Sequence, residues 1–448
     1  MYTSDRLLKA YGQRVHVDIV DRLPTPFGLV RSGVAPDHPD TKNVSKQFME
    51  VIADQRCSFL GNVTVGKDVS LATMQEMYHA VVLAYGAEGN RQLQIPGQNL
   101  SGVLSAREFV WWYNGHPEYA DTSIDLSSIT SVAICGLGNV AVDCARILLQ
   151  PPERLASTDI AEHALQQLRE SSVRHVHLIG RRGPVQAAFT PKELREVLSM
   201  EGVSVQVPAA AMKLTPFDQA EMDATRMKRR VSDILRKAAD KPADGNQKRQ
   251  LHLHFLRSPV EVLDSGDGSV AGLKLEVNAL QTSSDNAHQR AVGTGHYESL
   301  DAQLVLESIG YKSYPLSGAP FDDKQGIIPN TLGRVNTIQG RDGAISGLYV
   351  CGWLKRGPSG IIGTNLWDAQ QTVDTMTEDF PPSSTDLLQH KHQTLRTYLQ
   401  SKSAKVVDFS GYCNIDKHEV ERGQKVGKPR EKVTTTQEML QLSVSKPS

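Results

Sequence analysis

Apolar residues along this chain fall into short continuous runs alternating with helical stripes. Leu7 and Leu8 within residues 1–11, followed by Gly12, predict the rear half of a helix and its stop. VHVDIV at 15–20 predicts a strand ending at Asp21, and the apolar run at 79–84 predicts a buried strand that closes at Tyr85, Gly86 and Ala87. Residues 132–135 read as a strand and 139–149 as the helix after it, stopped by Pro151 and Pro152. A further helix over 159–170 and a strand over 176–179 continue the alternation, which argues for α/β layers with a parallel sheet. Beyond these, 222–239 predicts a basic helix, and 304–309 and 348–351 predict short strands, each followed by glycine. Segments 241–250 and 282–295 are polar and linker-like, and the C-terminal stretch alternates helix-like segments with Lys/Arg-rich connectors. Residues 23–39 carry prolines at 24, 26, 36 and 39 and glycines at 28 and 33, an irregular loop of the kind that more often carries function than mere connection.

A chain of 448 residues has room for two or three domains of about 100–200 residues each. Its 39% hydrophobic and 22% charged content is that of a globular protein. A formal net charge of −1 gives no whole-molecule attraction to nucleic acid, so no nucleic-acid partner is expected. No apolar run reaches the roughly 18–20 residues that span a bilayer, and no basic segment followed by an apolar core marks a secretory signal at Met1. Cys57, Cys135, Cys144, Cys351 and Cys413 are scattered, with no C-x-x-C pair and no metal-ligand spacing. They read as small buried hydrophobes in a reducing compartment, and no metal site is expected from them. A dithiol–disulfide reductase or an iron–sulfur ligand set would need cysteines that are absent from this pattern.

The chemistry begins at VAICGLGNVAVDCARILL. Gly136 and Gly138 stand between an apolar strand and an amphipathic helix, and Ala141 occupies the third position of G-x-G-x-x-G/A. The first glycine permits a tight turn and the second lets backbone approach a pyrophosphate; the small third residue lets helix and sheet pack closely. The helix N-terminus adds free N–H groups and partial positive charge. The next strand ends not in the acidic residue of an NAD site but in Gly180-Arg181-Arg182-Gly183. Two guanidiniums suit a doubly charged ribose 2′-phosphate, so the cofactor read here is NADP(H).

A second nucleotide-binding unit is suggested by a helix, the 15–20 strand and Asp21, the later half of a Rossmann unit; its first strand and glycine loop would precede Met1. Near the other end, GLYVCGW runs a strand into KRGPSGIIG, a glycine-rich loop fitted to an anionic or flavin-ring ligand. Together, PTPFGLVRSGVAPDHPDTKNV, GLGNVAVDCARILLQPPE, GRRGPVQAAFTPKELRE, SIGYKS, CGWLKRGPSGII and GKPREK resemble the mitochondrial NADPH:adrenodoxin (ferredoxin) reductases, in order and over essentially the whole chain. The resemblance implies two Rossmann-like domains, the NADP domain (93–311) inserted into a discontinuous FAD domain (1–92 and 312–448), with a hydride passing from NADPH to FAD and single electrons to a [2Fe–2S] ferredoxin. Family members open with a strand and glycine loop for the FAD pyrophosphate, and this chain begins just after them, so weakened FAD binding is expected.

The resemblance also implies roles residue by residue. Asp21 matches an acidic residue, usually Glu, at the FAD ribose; Leu29 and Val65 match further FAD contacts. Trp353, Gly360, Ile361 and Ile362 match the loop at the flavin ring, and Gly360 also approaches the nicotinamide. Leu137, Gly138, Asn139, Val140, Arg181, Arg182 and Glu193 match NADP contacts. His38 and Glu196 match polar residues near the flavin, a proton or hydrogen-bond relay. Arg195, Arg226 and Arg230 match cations that dock an acidic ferredoxin. A mitochondrial location on the matrix side follows from the resemblance alone, with peripheral association with the inner membrane left open. Two other readings stay open at this point: a flavin oxidase or monooxygenase passing electrons to oxygen, and an NADP-binding but catalytically silent protein.

Overall fold

The computed structural model describes residues 1–241, 247–282, 289–337, 343–360, 363–383 and 394–444. Its largest sheet has six strands in the order Val103–Ser105, Leu304–Glu307, Ser131–Cys135, His175–Gly180, Arg249–Phe255 and Val203–Gln206, every neighbouring pair parallel. The predicted strands at 132–135 and 176–179 lie side by side in it, with Cys135 opposite Ile179. The predicted helix at 139–149 is observed as Asn139–Leu149, whereas the one at 159–170 shortens to Glu162–Arg169.

Side chains on this sheet sort by parity, as period-2 geometry requires. Val132, Ile134, Val176, Leu178, Leu251 and Leu253 join the core built with the helices, which also buries Phe109, Trp112 and Ile147. Ala133, Cys135 and Ile179 point the other way, against Val262, Leu273 and Leu275. These last residues belong to a three-stranded antiparallel sheet of Arg257–Asp264, Val270–Thr282 and Gln289–Asp301. The polar segment 282–295 was expected to be a linker; residues 289–295 instead lie in the last of these strands. Most of that strand is exposed on both faces, so no apolar alternation announces it, and its backbone ladder to Val270–Thr282 holds it.

The remaining α/β layers are smaller. Val17–Val20 pairs in parallel with Cys57–Leu60. Val81–Leu83 pairs in parallel with Ala344–Val350 at the edge of a four-stranded sheet. Leu60, Val81, Leu83, Leu348 and Val350 share one apolar core, so segments from both ends of the chain form a common layer. Helix Tyr2–Tyr11 packs along helix Thr364–Asp379, and the Tyr11 hydroxyl donates to the carbonyls of Met376 and Phe380. Between the two layer systems runs a short antiparallel pair, Gly89–Asn90 with Tyr311–Lys312. Among the described residues no helix is long and apolar enough to cross a membrane.

The segment GKPREK is a buried lace of charge. Lys428 pairs with Glu162 and Glu431. Lys432 reaches Asp159, the carbonyl of Arg31 and the Asn114 amide oxygen. Arg430 pairs with Asp416 and with the fully buried Glu419, which also holds Arg31. One short segment therefore ties together residues near 31, near 160 and near 419.

Candidate functional site

Gly136 adopts φ +149°, and a Cβ there would stand 2.2 Å from the Ser308 carbonyl oxygen, so no other residue fits the turn. Its N–H donates to the Ile179 carbonyl at 2.8 Å, fixing the turn to the neighbouring strand. Gly138 is extended, caps helix Asn139–Leu149, and has nothing within 4 Å of an added Cβ. The loop is thus tight on its sheet side and open at the helix N-terminus, where a pyrophosphate would meet unbonded N–H groups. Asn139 Oδ1 accepts the Thr190 N–H at 2.9 Å, and the Leu137 carbonyl accepts from Ala188. Both bonds tie the loop to the cap of helix Pro191–Leu198, where Thr190 Oγ1 accepts the Glu193 N–H.

Arg181 and Arg182 follow strand His175–Gly180, at the same end of the sheet as the glycine loop. Both are exposed, and neither guanidinium meets a carboxylate among the described residues. Their backbone is nonetheless held: Asn278 donates to the Arg181 carbonyl and Leu256 to that of Arg182. Two unengaged cations on a fixed backbone suit a phosphate better than a carboxylate already in place would allow.

Behind the loop, the structure brings His38 and Glu196 together: His38 Nε2 lies 3.0 Å from a Glu196 carboxylate oxygen and 3.7 Å from one of Glu193. The buried Arg146 organises this cluster. It pairs with Asp37 and Asp143 and approaches Glu193 at 3.7 Å. Burial pushes the Asp143 carboxyl up to about 6 against the pull of Arg146. Burial also works against Asp37, but the hydrogen bonds and charge of Arg146 hold it below the usual carboxylate range. His38, Asp143 and Glu193 place donor atoms within 4.8 Å of one another. Arg146 offsets only part of the negative charge that Asp37, Asp143, Glu193 and Glu196 bring to this cluster. Arg146 and its partners Asp37 and Asp143 were not singled out from sequence; the only signal was the i, i+3 spacing of Asp143 and Arg146 on the loop's own helix.

At the other candidate site, Asp21 ends strand Val17–Val20 and its carboxylate accepts the Leu23 N–H at 2.9 Å. Burial pushes this carboxyl up to about 6, opposed by the Leu23 hydrogen bond. Leu29 is exposed on the short helix Gly28–Ser32, and Val65 is half-buried. Trp353 opens helix Trp353–Arg356 with its ring 5.7 Å from that of Tyr311. Gly360 adopts φ +83°, and a Cβ there would come within 2.7 Å of Thr364 Oγ1. Ile361 and Ile362 lie outside the described residues.

Of the basic residues, Arg195 is exposed on helix Pro191–Leu198, which packs against helix Arg226–Ala239 carrying Arg226 and Arg230. The single helix expected over 222–239 is two: Pro216–Ala224 ends and Thr225 is extended, so the basic helix starts at Arg226. Lys228 is taken up by Glu221 and Arg229 by Asp223, whereas Arg226 and Arg230 have no carboxylate partner among the described residues.

A parallel sheet with a glycine turn at a helix N-terminus, next to a cationic pair and a second α/β layer, defines a nicotinamide-nucleotide oxidoreductase built on two Rossmann-like units. Comparison with known proteins narrows the class. No family model matches the chain. It is 50% identical over 449 positions to the mitochondrial NADPH:adrenodoxin oxidoreductase of Arabidopsis thaliana, covering 98% of this chain and 92% of that protein. It is 46% identical to that of Homo sapiens (98% and 89% covered) and 43% identical to NADPH-ferredoxin reductase FprA of Mycobacterium leprae (96% and 91%). The structure of Mycobacterium tuberculosis FprA in complex with NADPH superposes with a TM-score of 0.91, at 40% identity and over 99% of this chain and 97% of that one. The chain belongs to the NADPH:adrenodoxin oxidoreductase family, which spans mitochondrial and bacterial members.

Proposed function

We propose that this chain is an FAD-dependent NADPH:ferredoxin reductase in which NADPH is held by Leu137, Gly138, Asn139, Val140, Glu193 and the Arg181–Arg182 pair. The observation that carries this reading is the pair of unengaged guanidiniums at the strand end beside an open, helix-capping glycine loop. Residues 93–311 form the NADP domain, inserted between the two parts of the FAD domain, 1–92 and 312–448. FAD, when bound, accepts the two electrons of a hydride and releases them one at a time, which a one-electron iron–sulfur partner requires. Asp21 receives the ribose of that cofactor, with Leu29 and Val65 alongside. Trp353 and Gly360 would face the flavin ring when it is bound; Ile361 and Ile362, assigned to the same loop, lie outside the described residues. The residues present fit such a group: Asp21 is a half-buried carboxylate that, among the described residues, accepts a single hydrogen bond, and Gly352, at φ +73°, has nothing within 4 Å of an added Cβ.

His38 and Glu196 act as a hydrogen-bond relay that orders the reacting region, held by the Arg146 cluster; hydride transfer itself depends on positioning. The partner is an acidic [2Fe–2S] ferredoxin that docks on Arg195, Arg226 and Arg230. The working location is the mitochondrial matrix, in keeping with the mitochondrial relatives.

The site is tested by measuring NADP⁺ and NAD⁺ binding calorimetrically in the wild type and in Arg181→Ala/Arg182→Ala. A charge-assisted hydrogen bond contributes about 1.5–3 kcal/mol, so losing two should weaken NADP⁺ by roughly 10²-fold or more and leave NAD⁺ within a few-fold. Equal weakening of both nucleotides would place the 2′-phosphate elsewhere.

A further inference from the structure

Strands His175–Gly180 and Arg249–Phe255 carry a histidine motif that the reductase chemistry leaves unused: H-V-H at 175–177 and H-L-H at 252–254. The strands are parallel neighbours, with His177 opposite His252. Because Val176, Leu178, Leu251 and Leu253 face the helix-side core, all four imidazoles lie on the opposite sheet face. They meet along the diagonals. His175 Nδ1 is 3.3 Å from His252 Nε2, and His177 Nδ1 is 3.0 Å from His254 Nε2. The two pairs also stack, the rings of His177 and His252 being 4.5 Å apart.

We infer that these diagonal pairs form a transition-metal site, two adjoining two-histidine clamps for a borderline divalent cation such as Cu(II) or Zn(II). Imidazole nitrogens bind such an ion at about 2.0–2.1 Å, so nitrogens 3.3 and 3.0 Å apart subtend about 107° and about 94° at the metal. These angles are near tetrahedral and near square, the geometries those cations adopt. Neutral imidazole without carboxylate disfavours Mg(II) and Ca(II).

The outer contacts suit a ligand role as well. His252 Nδ1 lies 3.1 Å from Gln206 Oε1, and the Gln206 amide nitrogen donates to Gln250 Oε1, which orients the amide. An amide oxygen can only accept, so His252 carries its proton on Nδ1 and its Nε2 accepts from His175 Nδ1; a bound ion would take the place of that bridging proton, His175 moving to its Nε2–H tautomer. Beside His254, Arg257 and Glu298 pair with each other. One histidine of each pair, His175 and His177, lines a surface cleft with Ser299 and Asp301.

The test is a Cu(II) titration of the chelator-treated full chain, followed by electron paramagnetic resonance. Bound copper should show nitrogen superhyperfine splitting. H175N/H177N and H252N/H254N, each of which removes one nitrogen from both clamps, should weaken binding at least tenfold, and Gln206→Leu, which touches no metal and orients the His175–His252 clamp alone, should weaken one of the two copper sites by about tenfold. H38Q, at the His38–Asp143–Glu193 cluster, should bind copper as the wild type does. Far-UV circular dichroism checks that each variant is folded, and Gln206→Leu supplies a reading if either histidine variant is not. Absence of nitrogen-coordinated copper in the wild type would overturn the inference. So would copper lost in H38Q but retained in full in folded H175N/H177N or H252N/H254N, or two copper sites unchanged in folded Gln206→Leu.

Discussion

Asp21 shows how a single side chain can carry both a binding role and a folding cost. Its carboxyl is held near 6 by burial, against 3.8 for an ordinary aspartate. Between those values the folded chain keeps a proton that the unfolded chain has released. Folding therefore loses stability from this group as pH rises through that window, and the loss is complete above about 6. Asp21→Asn removes the penalty. Its thermal midpoint without added flavin should exceed that of the wild type by more at pH 7.5 than at pH 4.5, while its retention of added FAD falls. An equal gain at both pH values would mean that the carboxyl is not desolvated. At this scale the sequence was readable wherever the backbone demands a residue type: Gly136 is required by its positive φ and the Ser308 carbonyl, and G-x-G is visible as a pattern. The Arg146–Asp37 pair was not readable, because its partners lie 109 residues apart and no local rule joins them.

Among the elements, strands Val17–Val20, Ser131–Cys135, His175–Gly180 and Leu304–Glu307 and helix Asn139–Leu149 were legible because continuous apolar runs and helical stripes report burial directly. The parallel strands Cys57–Leu60, Val103–Ser105, Val203–Gln206 and Arg249–Phe255 were not picked out, and Arg249 and Gln250 read as linker from sequence. The antiparallel strand Gln289–Asp301 was not, since its exposed faces carry no such stripe. The break at Thr225 was hidden for a different reason: the composition is helix-compatible on both sides, and one extended residue re-aims the chain. That break matters for docking. It starts the basic helix at Arg226, with Lys228 and Arg229 neutralised by the preceding helix and Arg226 and Arg230 left unpaired among the described residues. Charge reversal at both positions, Arg226→Glu/Arg230→Glu, should lower ferredoxin-dependent cytochrome reduction at least tenfold at low ionic strength and spare NADPH-to-ferricyanide turnover. The deficit should narrow as salt screens the surface. Equal loss of both activities would remove this helix from the docking face.

For the whole molecule, sequence resemblance gave the two-layer arrangement, but the means of holding the layers together came only from the structure. Lys428, Arg430 and Lys432 bind carboxylates and carbonyls from three distant segments, and Glu419 is fully buried between Arg31 and Arg430. Removing one member of such a buried pair leaves an uncompensated charge, so each of these side chains is costly to replace. The central claim is a path for electrons from NADPH to ferredoxin. The most direct test is anaerobic turnover of the purified chain, supplied with equimolar FAD, with NADPH and a [2Fe–2S] ferredoxin monitored by visible absorbance. The account predicts two ferredoxins reduced per NADPH oxidised and at least tenfold slower reduction with NADH. NADPH oxidation that leaves ferredoxin oxidised, or equal rates with NADH, would contradict it.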